Sequence, residues 1–79
     1  MINLRNQIDQ IDDQIVKLYN QRMEIVKEVA IKKQADNNSI NDPFREKNII
    51  NRVTSEVDAD IKVYTKHLFD TIFDTSKAY

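Results

Sequence analysis

The sequence contains no cysteine, which excludes disulfide bonds and metal sites built from thiolates. His67 is the single histidine, so zinc motifs that need paired histidines are excluded as well. Glycine is also absent, although an average chain of this length contains about five or six. A chain without glycine has neither a Gly-rich phosphate loop, nor a dinucleotide-binding fingerprint, nor a strained nucleophile elbow. These absences exclude several common nucleotide-binding and nucleophilic enzyme motifs.

The chain also lacks an excess of charge of one sign, since 12 Lys and Arg residues stand against 13 Asp and Glu residues. A nucleic-acid interface usually shows as a basic excess on one face, so no nucleic-acid partner is expected. No apolar run approaches the ~18 residues of a membrane span, and no signal-peptide segment follows Met1. The sequence therefore predicts a cytoplasmic protein without a membrane partner.

The first segment, residues 4–35, has the apolar spacing of one long α-helix. Its apolar residues recur in steps of three and four, and no glycine or proline interrupts them. A helix of this length extends about 48 Å, whereas a compact globule of this chain length is only about 30 Å across. Part of the apolar stripe would protrude, so the spacing predicts an intertwined homodimer with a twofold axis. The stripe consists of Leu4, Ile8, Ile11, Ile15, Leu18, Ile25 and Val29.

Two further helices are predicted after a polar loop at residues 36–41. Asp42 is a good N-cap and Pro43 suits the first helical position, so the second helix should start at Asp42. Asp58 or Asp60 is expected to cap the third helix. The fold class is therefore all-α: one domain, residues 1–79, with a long, a short and a medium helix in each protomer of the homodimer. The apolar faces are Ile49, Ile50, Val53 and Val57 on the second helix, and Ile61, Tyr64, Leu68, Phe69, Ile72 and Phe73 on the third.

Four polar residues occupy positions on these apolar faces: Arg22 and Lys33 on the first helix, Glu46 on the second and Ser76 on the third. Arg22 and Lys33 differ by about 20° in azimuth and lie about 16 Å apart along the axis. Burying a charge is costly unless it is paired or binds a ligand. The pattern fits a buried ion pair of Glu46 with Arg22 or Lys33, or cations that reach water at the edge of the stripe. The convergence of all four favours a third interpretation, a polar site for an anionic ligand.

Arg5 is a separate case, because it lies about 25 Å along the helix from Arg22 and is rotated from it by about 100°. It cannot share a pocket with Arg22 of its own chain. In an antiparallel dimer of long helices, Arg5 would approach the middle of the partner's helix and complete the partner's site. A solvated arginine in the first turn explains the same spacing.

An ordered set of residues resembles the all-helical, AroQ-type chorismate mutase family over nearly the whole chain. Members of that family are intertwined dimers of three-helix protomers. The resemblance implies an isomerase that rearranges chorismate to prephenate by a Claisen shift, in the shikimate pathway towards phenylalanine and tyrosine, without a metal or cofactor. The residues that carry it are Leu4-Arg5, Ile8-Asp9, Ile11-Asp12, Ile15, Leu18, Arg22, Val29-Ala30, Lys33, Asp42-Pro43 and Arg45-Glu46.

The resemblance also implies roles for individual residues. Arg22 and, from the other protomer, Arg5 would bind the two substrate carboxylates, a task that suits the bidentate guanidinium. Lys33 would donate a hydrogen bond to the ether oxygen as negative charge develops there. Glu46 and Asp42 would hold the substrate hydroxyl.

Two more residues belong to the site that the resemblance implies. Ser76 would assist with a carboxylate, and Arg45, beside the glutamate, would order the site. The family usually places a Gln or Glu one turn after this serine, which would be position 80, and the sequence departs from that pattern because it stops at Tyr79. Either the sequence was cut there or the site lacks this donor. Fusion to, or association with, another enzyme of aromatic biosynthesis is also compatible with the family.

Two alternative functions are compatible with the same residues. An isochorismate pyruvate-lyase-like enzyme would have the same fold, although Asp42, Arg45 and Glu46 favour the mutase. A non-catalytic dimerisation or regulatory domain belongs to another class. It would not need the inward-facing Arg22, Lys33 and Glu46.

Overall fold

The computed structural model describes residues 2–35 and 42–79. These residues form three helices, α1 (Ile2–Ala35), α2 (Pro43–Ser55) and α3 (Lys62–Ala78), and the described ranges contain no strand. The predicted all-α, three-helix protomer is thus confirmed. The loop predicted at residues 36–41 lies outside the described residues.

Helix α1 determines the shape of the molecule. It has 34 residues, and at 1.5 Å per residue it is about 51 Å long, which matches the largest dimension of the chain, 52 Å. The radius of gyration is 15.3 Å, larger than the ~12 Å of a compact domain of this length. The single chain is therefore elongated, as the long apolar stripe predicted.

Helix α2 begins where its capping residues predicted. Asp42 is the N-cap, its carboxylate accepts a hydrogen bond from the backbone N–H of Arg45 at 3.0 Å, and Pro43 opens the helix. The side-chain cap satisfies one of the N–H groups that the first turn leaves without a helical partner. This local geometry fixes Asp42, Arg45 and Glu46 in one turn.

The Asp42 cap can be tested by two substitutions. Asp42→Ala should lower the free energy of unfolding by about 1 kcal/mol, because the first turn loses its acceptor. Asp42→Asn should keep most of that stability, because asparagine caps as well as aspartate. Urea unfolding followed by circular dichroism measures both. An equal loss in the two variants would show that the charge of Asp42, and not its capping bond, stabilises the chain.

The predicted cap of the third helix was wrong. Helix α3 has Ile61 as its N-cap residue, without a capping side-chain hydrogen bond, rather than Asp58 or Asp60. The reason is that a backbone hydrogen bond, and not a side chain, forms the turn before the helix: Ile61 N donates to the carbonyl of Asp58 at 3.0 Å. The first helical bond then runs from Thr65 N to the carbonyl of Ile61 at 2.9 Å.

The hydrophobic core of the single chain is small. Among the described residues only Met23, Ile49 and Phe73 are buried, one from each helix. The predicted face of α3 is covered only towards its C-terminal half, where Phe69 packs against Phe73 with ring centroids 6.1 Å apart. Tyr64, placed in the core from its spacing, is 71% exposed. Among the described residues, the hydrogen bonds and the cation–π contact between α1 and α3 involve the last two turns of α3 and not its start. Ile61 and Leu68 of the same predicted face are exposed as well.

The apolar stripe of α1 is exposed in the single chain. Its side chains are between 44% and 62% exposed, from Val29 at the low end to Leu18 at the high end. Such a contiguous apolar face normally marks an interaction surface. None of the described helices combines the length and apolar character that crossing a membrane requires.

Candidate active site

The three helices enclose a cavity of about 250 Å³ that is partly open to solvent. Small-molecule sites usually measure about 300–1,000 Å³, so this cavity suits a small ligand. It collects six of the seven site residues that the sequence predicted. These are Arg22, Lys33, Asp42, Arg45, Glu46 and Ser76.

Arg22 is held in place by α3. Its Nη1 donates a hydrogen bond to the Oγ of Ser76 at 2.9 Å, and its guanidinium carbon lies 5.8 Å from the centre of the Phe73 ring. The Ser76 hydroxyl in turn donates to the carbonyl of Ile72 at 2.6 Å. The bond to Ser76 uses one of the five N–H donors of the guanidinium. Arg22 is therefore a half-buried cation whose orientation is fixed before a ligand arrives.

Glu46 has a different ion-pair partner from those considered for it. Its Oε2 lies 2.9 Å from the Nζ of Lys77, and the two side chains are 27% and 39% exposed. The sequence had suggested Arg22 or Lys33 as the partner, and that interpretation was wrong. The physical reason is that α3 lies beside α2 and carries Lys77 to the glutamate, while Arg22 bonds to Ser76.

Lys33 and Asp42 complete the polar lining from the neighbouring ends of α1 and α2. Lys33 is half-buried in the last turn of α1, and Asp42 is half-buried at the N-cap of α2. Arg45 lines the same cavity but is more exposed. The cap bond from Arg45 N uses one oxygen of the Asp42 carboxylate. The other lone pairs of the carboxylate are therefore the ones suited to a ligand.

The charge of the lining favours an anionic ligand. Four cationic side chains and two carboxylates face the cavity, and the rest of its wall is mainly apolar. An apolar wall with a few fixed polar groups is typical of sites that orient a small organic molecule. In the described parts of the chain, no three His, Asp or Glu side chains lie close enough to hold a metal ion. The apolar wall consists of Ile25, Val26, Val29, Ala30, Ile49 and Phe73.

Lys77 is the polar lining residue that sequence reasoning missed. It lies four residues after Phe73, the same spacing that marked Lys33 four residues after Val29. Its position beside Ser76 in the last turn of α3 brings it into the cavity. The spacing that marks Lys33 therefore marks Lys77 as well.

Arg5 and His67 lie outside the cavity. Arg5 is exposed near the start of α1, and it does not line the cavity of its own chain. This agrees with the calculated separation of about 25 Å from Arg22. The role of Arg5 in a partner's site remains a prediction. His67 is exposed on α3.

Comparison with known proteins adds evidence that is independent of the cavity. The family model described as chorismate mutase type II matches residues 4–79, a range that contains every residue lining the cavity. No curated protein and no solved structure matches the chain significantly. Since the matched range covers nearly the entire sequence, the chain belongs to the chorismate mutase type II family.

Proposed function

We propose that the protein is a chorismate mutase that converts chorismate to prephenate. The observation that carries this proposal is the cavity in which Arg22, Lys33, Asp42 and Glu46 meet an apolar wall. A dicarboxylate with a ring and a hydroxyl needs these three kinds of contact: cations, hydrogen-bonding carboxylates and an apolar surface. The family match supports the same reaction class.

The reaction requires positioning and charge stabilisation rather than covalent catalysis. Within one molecule a carbon–oxygen bond of the ether breaks while a carbon–carbon bond forms, and no atom leaves or enters. An enzyme accelerates such a step by holding the compact reactive conformer and stabilising the charge that develops on the ether oxygen. The cations that line the cavity are suited to both tasks.

We assign the carboxylate and ether contacts to three cations. Arg22, already oriented by Ser76, would bind one carboxylate through a paired N–H contact. Arg5 of the partner subunit would bind the second carboxylate. Lys33, half-buried at the end of α1, would donate to the ether oxygen as negative charge develops.

The remaining polar residues would orient the substrate. Glu46 and Asp42 would hold the substrate hydroxyl, whose single O–H donates to one of the two carboxylates at a time. Arg45 would order this turn of α2. The Ser76 hydroxyl donates to the carbonyl of Ile72, so in the free protein it supports Arg22 as an acceptor. Rotation of this hydroxyl would allow it to donate to a substrate carboxylate.

We propose in addition that two chains form an intertwined homodimer through α1. The support is the stripe of half-exposed apolar side chains along a helix that spans the whole 52 Å of the molecule. Only three residues are buried among those described, and a core of this size stabilises a single chain weakly. A second copy would cover the stripe and bring its own Arg5 towards the cavity.

Mixing two inactive variants tests whether Arg5 acts across the interface. Arg5→Ala and Arg22→Ala should each be nearly inactive alone, because each lacks one carboxylate contact. A mixed dimer has one site with both arginines, so an equal mixture refolded together should recover about a quarter of wild-type activity. Steady-state rates before and after co-refolding measure this. Absence of recovery in demonstrated heterodimers would contradict the assignment of Arg5 to the partner's site.

The direct test of the proposed function is the loss of chorismate absorbance with purified protein, with prephenate identified as the product. Isochorismate, with pyruvate release as the readout, serves as the second substrate. Turnover of chorismate alone supports the mutase. Pyruvate release would favour the lyase-like alternative, and a stable dimer without turnover of either compound would favour a dimerisation domain. A place in aromatic amino acid biosynthesis and a cytoplasmic location belong to the same proposal, and restored growth of a mutase-deficient cell without phenylalanine and tyrosine tests the pathway.

A further inference from the structure

Lys77 lines the candidate active site, yet none of the contacts proposed for the substrate involves it. Its Nζ lies 2.9 Å from Oε2 of Glu46, so it is engaged with a carboxylate that faces the cavity. The preceding residue, Ser76, bonds to Arg22 at 2.9 Å. One turn of α3 therefore holds both a cation of α1 and a carboxylate of α2.

The contact between Lys77 and Glu46 reduces an electrostatic repulsion that the proposed site would otherwise have. A glutamate in a cavity for a dicarboxylate repels the ligand, and the repulsion is strengthened where neighbouring apolar walls lower the effective dielectric constant. A cation in contact with the glutamate offsets that repulsion. It also restricts the carboxylate to one orientation, so less conformational freedom is lost when the substrate hydroxyl binds.

We propose that Lys77 is a positioning residue that acts through Glu46. It holds the Glu46 carboxylate towards the cavity and neutralises it towards a dianionic substrate, so its contribution appears in substrate binding. This inference rests on the proposed function, because it concerns the affinity for chorismate.

The experiment is a double-mutant cycle with Lys77→Met, Glu46→Gln and the combination of both. Methionine keeps most of the length of the side chain and removes its charge. Lys77→Arg is the conservative variant. Lys66→Met is the matched control, because Lys66 lies on the same helix and pairs at 2.8 Å with Asp70, while neither residue lines the cavity.

Lys77→Met is expected to raise KM for chorismate about two- to fivefold and to change kcat less than about twofold, because solvent weakens the interaction of a partly exposed ion pair. Lys77→Arg should restore most of the affinity, and Lys66→Met should leave both constants at their wild-type values. In the Glu46→Gln background, Lys77→Met should change KM little, because the charge it offsets is gone. Thermal unfolding by circular dichroism verifies that each variant is folded.

Two results overturn the inference while leaving the proposed function intact. With an active wild-type protein, an unchanged KM in Lys77→Met shows that the ion pair is only structural. A rise in KM that is equally large in the Glu46→Gln background shows that Lys77 contacts the substrate directly rather than acting through Glu46. A wild-type protein that neither binds nor converts chorismate overturns the proposed function and the inference together.

Discussion

Replacing Arg22 with leucine is expected to lower kcat/KM for chorismate by about 10²- to 10³-fold, a loss of about 3–4 kcal/mol of transition-state stabilisation. Arg22 is the cation whose geometry is best defined, since Ser76 and Phe73 fix its guanidinium at the cavity. Leucine removes the paired N–H contact to the carboxylate and leaves an apolar surface in its place. The fold should survive, because leucine fits the apolar face of α1.

Two further variants make the Arg22 result specific. Arg22→Lys keeps the positive charge but loses the planar fork, so we expect an intermediate loss of activity. Arg52→Leu removes an arginine from the exposed side of α2, outside the cavity, and should leave the rate unchanged. Initial rates give kcat and KM, and thermal unfolding by circular dichroism reports the fold.

The Arg22 variant also separates an enzyme from a purely structural dimer. In a structural dimer the half-buried arginine has no ligand to bind, and leucine should keep or raise the stability without a functional cost. Near wild-type turnover in Arg22→Leu would contradict the proposed site directly. Unfolding of the variant would instead show that the Ser76 and Phe73 contacts stabilise the chain more than its packing indicates.

Replacing Ile11 with glutamate is expected to raise the dissociation constant of the homodimer by at least about 10³-fold. A twofold dimer carries the substitution in both subunits. Each copy removes an apolar contact and buries a charge without a partner. Ile11 is 54% exposed in the single chain, so the same change would have little effect on an isolated monomer. The substitution therefore reports the interface and not the intrachain core.

The matched control for this prediction is Asn6→Glu. Asn6 is one helical turn and a half earlier on α1, about 140° around the helix from Ile11 and away from the apolar stripe. Both changes add one glutamate to an exposed position of α1. Sedimentation velocity between micromolar and nanomolar concentration gives the dissociation constants, and the rate measured over the same range should fall with the dimer.

An Ile11→Glu variant that remained fully dimeric would contradict the proposed assembly through α1. A monomeric variant that retained full activity would contradict a different part of the proposal, namely that Arg5 of one subunit serves the site of the other. The two outcomes are distinguishable because mass and rate are measured on the same samples. We expect Ile11→Glu to lose both dimerisation and activity, and Asn6→Glu to keep both.

Helical features that depend on nearest neighbours in sequence were predictable from the residues alone. The apolar stripe and the absence of glycine indicated α1 over nearly its observed length, and Asp42-Pro43 marked the start of α2. The prediction was wrong at the start of α3, because a backbone turn from Asp58 to Ile61, and not the side chain of either aspartate, precedes the helix. Local signals define a helix better than they define its first residue.

The polar site shows the same division. Spacing on single helices placed Arg22, Lys33 and Glu46 on apolar faces, and the structure brings all three to one cavity. Spacing did not give the partner of any of them. The Glu46–Lys77 and Arg22–Ser76 contacts join residues of different helices, so they depend on how α3 lies against α1 and α2.

The sequence by itself determined the number and order of the helices, the length of α1, and which polar residues interrupt the apolar faces of the three helices. These are local properties, because helical periodicity repeats every 3.6 residues and capping acts within one turn. Only the tertiary structure decided which charges meet, since packing angles between helices depend on the summed contacts of many side chains. That is why Lys77, rather than Arg22 or Lys33, is the partner of Glu46.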